Sequence, residues 1–299
     1  MPLRAFVMLG IIMATALAIR LYPVIETPEK FRNGFGPFGD SYLYHVIAYN
    51  LYNGHGFSGT DYGEAFGKKS VQQKIIYEPA ITRGPVYPFF IFAVYRMFGT
   101  EKEMASAAGL RRSWDRVRIA QSFLDTAVCA MVFFMTYIIC GRSYLPALIS
   151  SALYCFSFYN IYYTRTLLSE CVTTFLLTAF LLFLILAMKY RRLLFWALSG
   201  AVFGSVALSR PEYLLFTPFL ILYEIIAGRG NIPAAARNML IFIIAAIIVM
   251  APWSARNYLV FKKPIPVSIG AIGYNTLQGA FEGTEKWKNW KEMPDSAFD

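Results

Sequence analysis

Six charged side chains have the types and settings for chemistry. Asp40 opens the helix-like run of FGDSYLYHVIAYNLYNGHGFSG, and Arg83 stands in TRGPVYP. Arg165 and Glu170 fall in YYTRTLLSE, Arg210 in LSRPEY and Arg256 in PWSARNY. Each lies at the end of an apolar run or in a polar segment beside one. A guanidinium fork binds phosphate oxygens bidentately, and a carboxylate can take the proton of an attacking hydroxyl. Several arginines and two acids on one aqueous face would make a pocket for an anionic headgroup beside an acid. Taken singly, each residue also has a structural reading, as an interfacial anchor or half of an ion pair. Arg165 and Glu170, five residues apart, can pair with each other. Asp125, inside an apolar run, can pair with an arginine or cap a neighbouring helix.

The elements that must position these groups are apolar helices. The 299-residue chain is 57% hydrophobic and 17% aromatic, with only 15% charged residues, against roughly 25% in soluble domains. Its apolar runs have the length of membrane-crossing helices rather than barrel strands. Seven spans are expected, at 5–24, 118–140, 144–163, 171–188, 193–209, 213–227 and 238–253. The stretch GPVYPFFIFAVYRMF (84–98) carries two prolines and is short for a span, so it is expected to be interfacial or re-entrant. With the N-terminus inside, the inner side holds Arg4, Arg142, Lys189, Arg191, Arg192, Arg229 and Arg237, and the short outer turns only Arg165 and Arg210. This puts the outer segment 25–117 and everything after Trp253 on the face that carries the six charged residues. The first apolar run has no small-residue cleavage site after it and is expected to be a signal anchor.

Within 25–117, Leu43, Ile47 and Leu51 recur at helical spacing, with Asp40 at the cap position and Gly54 at the C-terminal turn. A helix over 41–53 is expected on the membrane surface, its tyrosines at headgroup level. A carboxylate at a helix N-terminus is favoured in its ionised form, so capping and base catalysis are compatible there.

Other chemistries find little support. The net charge of +10 is not gathered into a basic cluster or soluble domain, so no nucleic-acid partner is expected. His45 and His55, the only histidines, lie near Asp61 and Glu64 without a recognised ligand spacing, so no metal or other cofactor is expected beyond this weak possibility. The four cysteines (Cys129, Cys140, Cys155, Cys171) lie far apart in or beside apolar runs and are expected to pack in the core. No Walker loop, dinucleotide glycine pattern, Gly-x-Ser-x-Gly elbow or His-Glu-x-x-His occurs.

The ordered set GDSYLYHVIAYNLYNGHGFS, TRGPVYPFFIFAVYRMFG, RTLLSE, ALSRPEY and PWSARNY resembles the polytopic GT-C glycosyltransferases, particularly the family of protein O-mannosyltransferases and lipid A aminoarabinose transferases. The resemblance runs from Leu17 to Gly279 and rests on the order and spacing of the motifs together. It implies an all-α polytopic bundle that moves a sugar from a polyprenyl-phosphate donor to a hydroxyl acceptor on protein, lipid or glycan, at the outer or lumenal face. Asp40 would be the catalytic carboxylate. Arg83 would replace the lysine of a basic-Pro-Pro-Leu element, with Gly84 departing from its first proline. Glu170 would be the second acid, orienting an arginine or the acceptor, and Arg165, Arg210 and Arg256 would join Arg83 around the donor phosphate. Residues 1–253 would form the GT-C core and 254–299 the start of a second outer loop. Family members usually have further spans after that loop, so a truncated member is expected. The compact inner segments lean towards a bacterial plasma membrane. A flippase or transporter of lipid-linked sugars and a non-catalytic transferase-derived subunit are the rival readings. A transporter would more often show internal repeats, and none is convincing here.

Overall fold

The computed structural model describes residues 3–26, 40–59, 78–99, 107–227 and 231–268. Among these residues the protein is all-helical. Its elements are α1 (Leu3–Glu26), α2 (Asp40–Tyr52), α3 (Val86–Phe98), α4 (Ala107–Ile139), α5 (Tyr144–Cys155), α6 (Phe158–Tyr163), α7 (Glu170–Tyr190), α8 (Leu193–Ser209), a 3-10 turn (Pro211–Phe216), α9 (Thr217–Ala227) and α10 (Ile232–Phe261). Four helices, in α1, α4, α7 and α10, are long and apolar enough to cross a membrane by length and composition. Large apolar side chains such as Phe6, Ile11, Leu153, Phe219 and Ile247 stay exposed, as lipid-facing positions must when the solvent is hydrocarbon.

Of the other three expected spans, 193–209 forms one apolar helix, α8, with the expected bounds, and two take other forms. The run 144–163 breaks at Phe156–Ser157, where Ser157 leaves helical geometry, into α5 and the six-residue α6. The run 213–227 starts as a 3-10 turn. Pro211 opens that turn and Pro218 sits at the second position of α9; neither has an N–H for the α-helical ladder, and Thr217 bonds Leu214 instead. At 13 residues, α3 reaches only about 20 Å, too short to cross a bilayer alone. Conversely, α4 begins well before the expected 118, and α10 continues through Pro252 to Phe261. Arg256 therefore belongs to the last turns of a helix and not to a loop.

Helix α4 is the axis of the arrangement. Helices α1 and α5 pack on it and on each other, α7 packs against α4, and α8 lies against both α7 and α10. The α8–α10 contact depends on Gly200 and Gly204, one turn apart. A Cβ on Gly204 would lie 2.7 Å from the Ala246 carbonyl, and one on Gly200 would overlap that of Phe242. Small residues at this spacing let helix backbones touch where no hydrophobic effect drives them together. Phe180, Phe203, Phe242 and Trp196 fill the space around the crossing.

Elsewhere, α2 and α3 pack on each other and α3 on α4. The expected surface position of α2 is only half realised. Leu43, Tyr44, His45, Ile47, Ala48 and Asn50 are all buried, because Tyr87, Ile91, Val94 and Tyr95 of α3 and Leu167 complete a core around it. Three of the cysteines, Cys129, Cys155 and Cys171, are buried as expected, but Cys140 is exposed, since it follows the last turn of α4.

Two further charged clusters lie among the helices. Arg20 of α1 binds Asp125 of α4 at 2.5 Å with both side chains essentially inaccessible. Tyr154 donates to the same carboxylate at 2.6 Å, and Arg20 also donates to the carbonyls of Ala16 and Cys155. Asp125 thus pairs with an arginine. Elsewhere, buried Glu224 of α9 accepts from Asn238 of α10 at 2.8 Å and from Arg191 at 3.4 Å.

Candidate functional site

Asp40 is the first residue of α2, where the helix N-terminus favours a negative charge. Arg83 reaches it from the segment that leads into α3. Arg83 Nη2 donates to Asp40 Oδ1 at 2.5 Å, with the aspartate side chain 42% exposed and the arginine side chain 13%. The next residue explains the approach. A Cβ on Gly84 would collide with the Leu208 carbonyl, and Ser209 lies almost as close. Glycine is what lets the entry to α3 rest on the end of α8.

Glu170 opens α7 in the same way. The sequence offered Arg165, five residues away, as its partner, but the pair formed is with Arg210 at 2.7 Å. Glu212 lies 3.7 Å from the other end of that guanidinium. Burial acts to lower the Arg210 pKa, but Glu170 and Glu212 together outweigh it and hold the group above its ordinary value. One turn into α7, Thr173 Oγ1 meets Ser209 Oγ at 2.6 Å, fixing the ends of α7 and α8 side by side.

Tyr44 joins the two pairs. Its hydroxyl donates to Ser169 Oγ at 3.4 Å, next to Glu170, and its ring lies under the Arg83 guanidinium, 5.7 Å from the centroid. Burial raises the Tyr44 pKa; the Ser169 bond and Arg83 pull it down, and Asp40 and Glu170 push it up. Tyr44 in turn helps to raise the Arg210 pKa, so one phenol senses both acids and both arginines. Tyr44 stands in the sequence only as one of several interfacial tyrosines. Its signal was the spacing of four from Asp40, which puts both on one helix face.

The other two arginines are placed differently. Arg165 is partly buried, and desolvation lowers its pKa; its own carbonyl accepts from Arg118 Nε at 2.8 Å. Arg256 donates at 3.0 Å each to the carbonyls of Ala80 and Phe57 and to Asn257. Its guanidinium lies 4.9 Å from the Trp253 ring centroid. Those carbonyls belong to two stretches of chain that meet, Ala80 donating to Phe57 and Gly59 to Glu78. Arg256 thus clamps the loop that ends in Arg83, and its link to the Asp40 pair runs through backbone.

The weak metal possibility finds a different environment. His45 is buried, its Nδ1 2.9 Å from the Tyr95 hydroxyl and 3.4 Å from the Trp114 indole nitrogen, with Tyr49 also against the ring. Burial pushes its pKa down to about 4. His55 is exposed, and Asp61 and Glu64 lie outside the described residues. Among the described residues no group of three His, Cys, Asp or Glu side chains could hold a metal ion.

The site is therefore two acid–arginine pairs, drawn from four separate stretches of chain and bridged by a buried tyrosine, at one end of an apolar helix bundle. Such an arrangement can bind an anion by exchanging it for a carboxylate on an arginine, and the carboxylate so released can accept a proton. Comparison of the chain with protein-family models, curated proteins and solved structures finds no match.

Proposed function

We propose that the chain is a polytopic membrane glycosyltransferase of the GT-C type, with seven spans and its active face at the outer surface of a bacterial plasma membrane. Its donor is a polyprenyl-phosphate sugar and its acceptor a hydroxyl on protein, lipid or glycan. The observation that carries this reading is the meeting of the Asp40–Arg83 and Glu170–Arg210 pairs around Tyr44. This is the charge pattern needed by a reaction in which a lipid phosphate leaves and a hydroxyl attacks.

The acceptor oxygen forms a bond to the anomeric carbon as the bond from that carbon to the phosphate oxygen breaks. The electron pair of the breaking bond leaves on the polyprenyl phosphate, and the hydroxyl proton passes to the Asp40 carboxylate. Direct displacement inverts the anomeric centre through an oxocarbenium-like transition state. A phosphate leaves with charge stabilisation and without protonation. Arg83 and Arg210, with Arg165 at the adjoining turn, supply that stabilisation from fixed positions, and Glu170 orients Arg210. Arg256 supports the same phosphate region through the carbonyls of Phe57 and Ala80.

A second reading, a non-catalytic subunit, is favoured by the fact that each acid already carries an arginine, as a structural staple would. A transfer assay separates the two. Membranes containing the chain are mixed with labelled polyprenyl-phosphate sugars, with wild type beside Asp40→Asn at equal expression. Transfer that is lost in the variant supports the transferase, equal transfer removes Asp40 from the mechanism, and absence of transfer in both favours the subunit.

A further inference from the structure

Gln121 lies in the middle of α4, completely buried, and takes no part in either ion pair. Its Nε2 donates to the carbonyls of Thr166 at 2.8 Å, Thr164 at 3.1 Å and Tyr163 at 3.4 Å. Its Oε1 accepts from the Tyr87 hydroxyl at 2.6 Å. Its own backbone carbonyl accepts the Cys171 thiol at 3.4 Å. One turn earlier on the same face, Arg118 Nε takes the Arg165 carbonyl. Four consecutive carbonyls, 163 to 166, are thus held by two side chains of α4.

The connections run to both halves of the site. The segment 163–169 carries Arg165 and Ser169 and delivers Glu170 to the start of α7, with Cys171 bonded behind it. Tyr87 lies in the first turn of α3, four residues after Arg83, with its ring edge against Tyr44, centroids 4.9 Å apart. Two groups converge on the side-chain amide, the loop carbonyls and the Tyr87 hydroxyl, while the α7 thiol bonds the backbone carbonyl of the same residue. Buried polar networks that are fully satisfied fix one geometry of the groups they hold. An amide suits this junction because it offers donors and an acceptor at once.

We propose that Gln121 is a positioning residue, setting the Arg83 side and the Glu170–Arg165 side in register and so setting the site's affinity for the phosphate of a lipid-linked donor. This rests on the transferase reading for the identity of the ligand; the clamp itself is read out separately.

The test uses the full chain in lipid nanodiscs as wild type, Gln121→Met and Tyr87→Phe. Gln121→Met keeps a long unbranched side chain and removes every side-chain bond, whereas Tyr87→Phe removes only the link to α3. Three quantities are measured: amide exchange over 163–170, KM and kcat for the donor, and equilibrium binding of a short polyprenyl phosphate. In Gln121→Met, exchange over 163–170 rises, and donor KM rises about 10- to 100-fold with a far smaller change in kcat, as expected when a distant change misplaces a binding group. Tyr87→Phe raises donor KM in the same direction by less and leaves the 163–170 amides protected. Unchanged exchange in Gln121→Met overturns the clamp. Faster exchange with an unchanged donor KM overturns positioning and leaves a structural role. Should Gln121→Met not fold, a wild-type donor KM in Tyr87→Phe overturns the junction. If wild type transfers no sugar, the transferase reading fails by itself. The short polyprenyl phosphate then decides: weaker binding by both variants supports positioning, and equal binding, or none to wild type, overturns it.

Discussion

The molecule holds arginine–carboxylate pairs in two settings that differ in their exposure to solvent. Arg20–Asp125 lies between membrane-length helices with both side chains out of contact with solvent, and the protein itself surrounds it, with Tyr154 on the acid and two carbonyls on the arginine. The Asp40–Arg83 and Glu170–Arg210 pairs lie at the helix ends, with the acids 42% and 28% exposed. A buried pair must recover several kcal/mol of desolvation per ion, so breaking it by removing one partner is costly. A part-exposed pair loses much less when a partner is exchanged for water or another anion. The first setting suits an assembly lock between α1, α4 and α5. The second suits exchange of a carboxylate for a ligand phosphate.

The strongest way to break this contrast is through activity. Asp40→Asn is expected to lower transfer by about 10²–10⁴-fold, the usual worth of a general base, while the thermal midpoint stays near that of wild type. A matched loss of folded protein would instead put Asp40 in the same class as Asp125. On the interior side, Arg20→Met is expected to destabilise by about 3–5 kcal/mol by leaving buried Asp125 without its arginine. Unfolding in mild detergent measures this, and the double variant Arg20→Met/Asp125→Leu recovers most of the loss. A single Arg20 variant as stable as wild type would mean that the pair locks nothing.

His45 gives a pH test of the packing around α2. Its folded pKa of about 4 lies below the unfolded value near 6.5, so between these values the unfolded chain binds more protons. Stability contributed by His45 is full above pH 6.5 and is lost as pH falls towards 4, by about 3 kcal/mol over the window. Melting curves across that range, with His45→Phe as the flat reference, check the sign and the size. Gly84→Ala puts a methyl group into the Leu208 carbonyl and is expected to cost about 1–3 kcal/mol, with a larger donor KM because Arg83 moves with it. Tyr44→Phe removes only a 3.4 Å hydrogen bond, expected at about 0.5–1.5 kcal/mol. A greater loss of transfer than of stability in that variant would place the phenol inside the chemistry.

The sequence by itself determined that the fold is helical and which stretches carry the candidate charged residues. Apolar run length marked the helices, because hydrocarbon leaves backbone groups no partner outside their own helix. The helix expected at 41–53 forms at Asp40–Tyr52, since the spacing of Leu43, Ile47 and Leu51 and the glycine at position 54 are local signals. That Asp125 would need a partner was legible from its place in an apolar run, but nothing in the sequence pointed to Arg20, 105 positions away. Only the tertiary structure decided which arginine meets which acid, that Arg256 holds a loop, that Tyr44 lies between the pairs and that Gln121 ties them from behind. Those contacts depend on how α2, α3, α4, α7 and α8 pack. Packing brings together side chains tens of residues apart, whereas periodicity and charge counting register only what a residue shares with its nearest turns.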